Sequence, residues 1–168
     1  MPRYLYLLRH AQSADKQTGQ TDKERVLTAT GKAESNAVGN FLKENALIPD
    51  LILASSAVRA KTTTEIVTRV FNYPSSKIIF EDDLYEATIP HFIELVSRLE
   101  SEIDKAMIVG HNPVISYLIN HLTKEQTSGL HPAELVILEL KISNWTDAHN
   151  VKAEVKERFH PIVDSTAI

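Results

Sequence analysis

The chain predicts an α/β fold of three layers, with a mainly parallel central sheet between helices and an antiparallel strand near the C-terminus. Short apolar runs, YLYLL, LILA, KIIF and AMIV, alternate with segments whose apolar residues recur at helical spacing. The last two strand-like runs, ELVILELKI and VKAEVKERF, are joined only by Ser143 to Asn150, a connection short enough to favour an antiparallel hairpin over a helical crossover. No linker, internal repeat or low-complexity tract breaks the pattern, so residues 1–168 are expected to form one domain. At 168 residues, a core can be enclosed between two helical layers without disulfides or metal.

Tyr4 to Leu8 reads as a short buried strand that ends in Arg9 and His10. Burying a cation without a partner costs several kcal/mol, so this pair belongs at an accessible strand end that faces an anion. Thr28 to Asn45 reads as a helix with Ala33, Ala37, Phe41 and Leu42 on its inner face. Asp50 opens the strand LILA, which runs out at Ser55 and Ser56. Ser56 suits the N-cap of the helix AVRAKTTTEIVTRVF, placing Arg59 in the first turn.

Lys77 to Phe80 is the third strand, followed by the loop EDDLYEAT and a helix from about Ile89 to Glu100 with Pro90 near its start. AMIV then leads into GHNPVISYLINHL, where Asn112 suits a cap, Pro113 the first helical position and His111 the turn itself. From His160 onward the chain reads as a loose tail.

Composition narrows the function. The chain is 43% apolar and 24% charged, as in soluble globular proteins, and its formal net charge of −4 argues against nucleic acid as a partner. Cysteine is absent, which removes disulfides, thiolate metal sites and a cysteine nucleophile. No stretch reaches the roughly 20 apolar residues that span a bilayer, and the apolar run before Arg9 is too short for a signal-peptide core, so no membrane contact and a cytoplasmic location are expected.

In a parallel sheet with helical crossovers, the strand-to-helix turns gather at the carboxyl edge, where ligands bind. Arg9 and His10 follow the first strand, Arg59 the second, Glu86 the third and His111 the fourth. Each has a bland reading alone: a solvated strand end, a surface helix residue, a loop carboxylate, a capping turn. Together, two arginines, two histidines and a helix N-terminus suit a tetrahedral dianion, because guanidinium groups bind phosphate oxygens bidentately and free backbone N–H groups add donors. The chemistry indicated is phosphoryl transfer. A GxxxxGK[ST] loop is lacking, as is an obvious carboxylate cluster for magnesium, which disfavours a P-loop enzyme.

LLRHAQS, SSAVRAKTT, LYEA and VGHNP, with VLTATGKAES between the first two, resemble the histidine phosphatase superfamily, whose signature is an RHG-type strand end, a second arginine and a second histidine in a GH turn. The length is most like its small SixA-like phosphohistidine phosphatase branch, and the resemblance implies a phosphoglycerate-mutase-like fold. Ala11 stands where the signature commonly has glycine; its methyl restricts positive φ and alters any close backbone approach to phosphate.

By this resemblance His10 is the nucleophile and forms a phosphohistidine that water hydrolyses. Arg9, Arg59 and His111 bind the phosphoryl oxygens, His111 best as a cation, and Ser13 at the end of LLRHAQS joins them in binding substrate. Glu86 is the candidate for protonating the leaving group and activating water, with Asp82 and Asp83 as nearby substitutes. No cofactor and no metal are implied.

The room between Arg59 and Glu86 holds a helix and a strand but little more, so the cleft is expected to be open and wet, favouring hydrolysis over mutase chemistry. The function expected is a metal-independent phosphatase acting on protein phosphohistidine. A small-molecule phosphomonoesterase is the alternative within the same chemistry, and a non-catalytic phosphate-binding module the alternative outside it. A zinc hydrolase has no HxH or HExxH cluster behind it. His91, His121, His131, His149 and His160 are left as surface or core histidines, and Trp145 as a local packing residue. Oligomeric state is not legible in the sequence.

Overall fold

A computed structural model describes residues 2–164 and Thr166. Strands β1 (Arg3–Arg9), β2 (Leu51–Ser55), β3 (Ile78–Glu81), β4 (Lys105–Gly110), β5 (Leu135–Leu140) and β6 (Ala153–Phe159) form one sheet in the order β3-β2-β4-β1-β5-β6. The first four run parallel to one another, whereas β5 is antiparallel to β1 and β6 is antiparallel to β5. Helices α1 (Ala29–Glu44), α2 (Val58–Arg69), α3 (Ile89–Ser97) and α4 (Val114–Leu122) connect the parallel strands and lead out of β4.

The side-chain alternation of β1 explains the layering. Leu5 and Leu7 enter one core with Ile108, Phe92 of α3, Ile115 of α4 and Trp145. Tyr6 and Leu8 enter the other with Met107, Val38 and Leu42 of α1 and Val67 of α2. Both faces of the sheet are therefore covered, as near-continuous apolar strands require. Gly39 lets α1 close on α2, since a Cβ there would lie 2.6 Å from Val70 Cγ2.

Register sets the strand ends level. Arg9 pairs with Gly110, Ala54 with Val109 and Ser55 with Glu81, so the carboxyl ends of the four parallel strands form one rim. Everything following them in sequence starts from that edge.

Several local expectations are corrected. The inner face of α1 is Glu34, Ser35, Val38 and Leu42, with Ala33, Ala37 and Phe41 only half-buried. A charged residue occupies this face because the Glu34 carboxylate accepts the Gln12 N–H at 2.8 Å. Ser56 does not cap α2; it donates to Asp82, and Ala57 is the capping position without a side-chain bond. Asn112 does not cap α4 either, for its amide is spent on Leu130 O at 2.8 Å and on the Ser116 hydroxyl at 2.8 Å. Trp145 is a packing residue as expected, 1% exposed, with Nε1 donating to Ile103 O. The expected loose tail starts packed: His160 stacks on His131 with ring centroids 4.3 Å apart and Pro161 is buried, while Ser165, Ala167 and Ile168 lie outside the described residues.

Candidate active site

Arg9 ends β1, and His10 follows as the chain leaves the sheet. The His10 backbone is pinned on both sides, its N–H donating to Gly110 O at 3.0 Å and its carbonyl accepting the Ala133 N–H at 3.1 Å. Its ring Nδ1 lies 2.8 Å from Ala11 O. A carbonyl only accepts, so Nδ1 carries the proton and Nε2 the lone pair. Arg59 confirms this tautomer by donating its Nε–H to His10 Nε2 at 3.2 Å.

Arg59 sits in the first turn of α2 and is almost wholly buried, 5% exposed. Nη1 donates to the Asp22 backbone carbonyl at 2.7 Å and Nη2 to Asp22 Oδ2 at 3.0 Å. His111 leaves β4 with its Nε2 2.8 Å from Ser55 Oγ, and its ring centroid is 5.1 Å from that of His10. Tyr85 closes the fourth side, its ring edge-on to His111 at 5.5 Å and 5.8 Å from the Arg59 guanidinium.

The structure thus brings Arg9, His10, Arg59 and His111 together at the rim. Glu86 is exposed on its outer side, where Lys23, Asp82, Asp83, Tyr85, Glu86 and His91 line a cavity of about 500 Å³. Asp82 is engaged with Lys23 and Ser56. Ser13 is tied elsewhere, its hydroxyl accepting from Arg25 Nη2 at 3.0 Å. Among the described residues, no group of three or more His, Cys, Asp or Glu side chains is arranged to hold a metal.

Electrostatics favour neutral imidazoles. Burial, with His111, Arg59 and Arg9 nearby, pushes His10 down to about 3 despite the opposing bond to Ala11 O. Burial and Arg59 push His111 down to about 4, with Asp22 pulling the other way. The expected cation at His111 is therefore neutral in the resting site, and an arriving anion adds to the pull of Asp22 toward protonation. Arg9 is lowered by burial and by Arg59.

Two buried side-chain nitrogens in this cluster, Arg9 Nε and His111 Nδ1, have no hydrogen-bond partner among the described residues. Leaving such a group unpaired in a folded protein costs about 1–3 kcal/mol.

Four contributors were not foreseen. Ser55 orients His111, Thr63 accepts the Ala11 N–H at 3.0 Å, and Asp22 and Tyr85 frame Arg59. Thr63 lies four residues after Arg59 on the same helix face, a spacing visible in the sequence. Asp22 has no such signal, because it lies in the long connection from β1 to α1.

The family model of the histidine phosphatase superfamily (branch 1) matches residues 5–92. The chain belongs to that superfamily. That match takes in Arg9, His10 and Arg59 of the cluster. Phosphohistidine phosphatase SixA of Escherichia coli is 30% identical over 128 residues, covering 73% of this chain and 76% of that protein. The serine/threonine-protein phosphatase PGAM5 of Xenopus tropicalis, a mitochondrial protein, is 27% identical over 142 residues, 70% of this chain; the chain spans 50% of that relative's length. The crystal structure of a putative SixA from Agrobacterium tumefaciens superposes with a TM-score of 0.82 at 26% identity, covering 96% of this chain and 99% of that one. Histidine phosphatase superfamily membership and the three-layer fold therefore agree. No helix among the described residues is long and apolar enough to cross a membrane.

Proposed function

We propose that residues 1–168 act as one metal-independent phosphatase domain that hydrolyses phosphohistidine on a partner protein through a phosphohistidine formed on His10. One observation carries the reading: the lone pair of His10 Nε2 receives the buried Arg59 Nε–H at 3.2 Å, with the His111 ring centroid 5.1 Å from that of His10.

In the first step His10 Nε2 attacks phosphorus, the new N–P bond forms, and the bond to the leaving group breaks with its electron pair going to that group. The Arg59 N–H released from Nε2 turns to an equatorial oxygen, while Arg9 and His111 donate to the others. In the second step water attacks phosphorus, giving one proton to the Glu86 carboxylate and keeping the other on the phosphate formed, and the electron pair of the N–P bond returns to Nε2. His10 needs no deprotonation before attack, because its neutral form is the resting one.

Leaving-group chemistry favours phosphohistidine. A substrate phosphohistidine protonated on its other ring nitrogen releases neutral imidazole, whose conjugate acid has a pKa of about 6.5. A serine or threonine ester releases an alkoxide, which needs a proton in the transition state. Glu86 is the proposed source, exposed at the rim with no side-chain hydrogen bond among the described residues, and its contribution is greater for alcohols than for imidazole. Asp82, Asp83 and Glu86 outnumber Lys23 along the adjoining cavity, which disfavours polyanionic small molecules beside the phosphoryl group.

The test is phosphate release from a phosphohistidine peptide, a phosphoserine peptide and a sugar phosphate, with acid-labile phosphate on the enzyme trapped by rapid quench. The expected order is phosphohistidine first, with label on the parent and none on His10→Ala. Fastest release from the sugar phosphate would favour the small-molecule alternative. Phosphate release by His10→Ala at the parent's rate would remove His10 as nucleophile. Binding of inorganic phosphate without turnover of any donor would leave a recognition module.

A further inference from the structure

Arg59 is held from behind. Its Nε–H meets His10, while Asp22 takes one N–H from each terminal nitrogen, one through its backbone carbonyl and one through Oδ2. The same Oδ2 accepts the Tyr85 hydroxyl at 2.5 Å. The other carboxylate oxygen accepts from Arg25 Nη1 at 3.2 Å, and Arg25 in turn holds Ala14 O at 2.9 Å and Ser13 Oγ at 3.0 Å.

The turn that presents Asp22 is itself closed. Asp22–Glu24 form a 3₁₀ turn in which Glu24 Oε2 accepts both the Thr21 N–H at 2.7 Å and the Thr21 hydroxyl at 2.8 Å. Gln20 adds a bond to Glu24 O at 2.9 Å.

We infer that Asp22 is a positioning residue for phosphoryl transfer, clamping the rear of the Arg59 guanidinium so that Nε–H and the remaining terminal N–H donors face the phosphoryl group on His10. Through its bond to Tyr85 it also fixes the ring against which His111 stands. This inference rests on the proposed phosphatase reading and adds to it a residue outside the superfamily signature discussed above.

Two other roles fit less well. Asp22 is a poor proton donor, because the Tyr85 hydroxyl, Arg25 and Arg59 hold its carboxyl well below the usual carboxylate range. Nor is it a plug that substrate displaces. Swinging its side chain away would leave the backbone carbonyl on Nη1, so vacating the fork requires the whole closed turn to move. A guanidinium has donors to spare for both a clamp and a phosphate, and a planar array fixed on one edge presents the other in a defined plane.

The experiment compares Asp22→Ala, Asp22→Glu and Tyr85→Phe with the parent. Turnover of a phosphohistidine peptide is read as separate kcat and KM, and inorganic phosphate affinity is measured by calorimetry. For Asp22→Ala, kcat is expected to fall about 10- to 100-fold. Phosphate affinity should be equal or tighter, since a negative charge near the anion is gone. Asp22→Glu should recover part of kcat.

A kcat within about twofold of the parent would overturn the inference, as would kcat and phosphate affinity rising together, the mark of a plug. If Asp22→Ala fails to fold, Tyr85→Phe decides: a lowered kcat with phosphate affinity retained supports the clamp, and an unchanged kcat overturns it. The NMR signal of Arg59 Nε–H supplies a readout without turnover. It should be sharp in the parent and lost or broadened in the variant that folds, and an unchanged signal counts against the clamp. A parent inactive on every phosphorylated donor would sink the phosphatase reading, leaving this signal to judge Asp22 alone.

Discussion

The Thr63 hydroxyl accepts the Ala11 N–H at 3.0 Å and donates to the Arg59 carbonyl at 2.7 Å, joining the turn after β1 to the first turn of α2. Ala11 is the residue whose carbonyl holds His10 Nδ1, so one buried hydroxyl links the orientation of His10 to the helix that carries Arg59. Thr63→Val removes the acceptor and leaves a buried N–H unpaired. The expected cost is about 1–3 kcal/mol of stability by urea denaturation, together with a lower kcat. Thr63→Ser should regain most of both, and a valine variant with the parent's kcat would show that the tether is dispensable.

Ala11 itself is fully buried and lies outside the left-handed region that favours glycine. Its methyl packs with Leu8, Leu27 and Ala133 in the core on the α1 side of the sheet. The glycine common at this position in the signature is therefore not required by the backbone of this chain. Ala11→Gly is expected to lower stability by about 1 kcal/mol, through lost burial and added freedom of the unfolded chain, with activity within about twofold. A large gain in kcat would mean that the methyl obstructs phosphate.

The rim was legible because β1, β2 and β4 announce themselves as apolar runs and end in polar residues whose types match one chemistry. Arg9, His10, Arg59 and His111 converge for that reason, and placing them on one rim needs no strand order, only the rule that parallel strands share an end. What escaped was set by tertiary partners. The inward face of α1 includes Glu34, which no hydropathy pattern places inside, because the Gln12 N–H that satisfies it comes from another segment. A Cβ on Gly31 would lie 2.1 Å from Gln12 O, so that same segment presses onto the helix where only glycine fits. Ser55, Ser56 and Asn112 were read as local capping signals or strand-end residues, yet their side chains serve His111, Asp82 and Leu130. Asp22 could not be found by periodicity at all, since a loop has none.

Arg59→Lys tests whether charge alone suffices at this position. A lysine presents one point charge and cannot reach His10, the Asp22 carbonyl and the Asp22 carboxylate together as the guanidinium does. The expected loss in kcat/KM is about 100- to 1,000-fold. Activity within threefold of the parent would reduce Arg59 to an electrostatic contribution.

Buried neutral imidazoles make stability depend on pH in a defined window. His10 and His111 are pushed down to about 3 and about 4 in the native protein, against about 6.5 in an unfolded chain. Between those values the unfolded state binds protons that the native state refuses, so unfolding free energy rises with pH from about 4 to 6.5 and is flat in this respect above it. Carboxylates lowered by their partners, Asp22 among them, shift stability mainly below about pH 4, where the unfolded groups protonate. Between pH 4.5 and 6.5 urea midpoints report the histidines together with Glu34, whose carboxyl is raised by burial and acts in the opposite sense, and the difference between parent and a His10→Gln, His111→Gln double variant cancels Glu34 and the rest of the chain. The parent's midpoint should fall on acidification and the double variant's slope should be flatter. Equal slopes for parent and double variant would mean that these rings titrate as they do in water, and that neutral His10 is not a property the fold imposes.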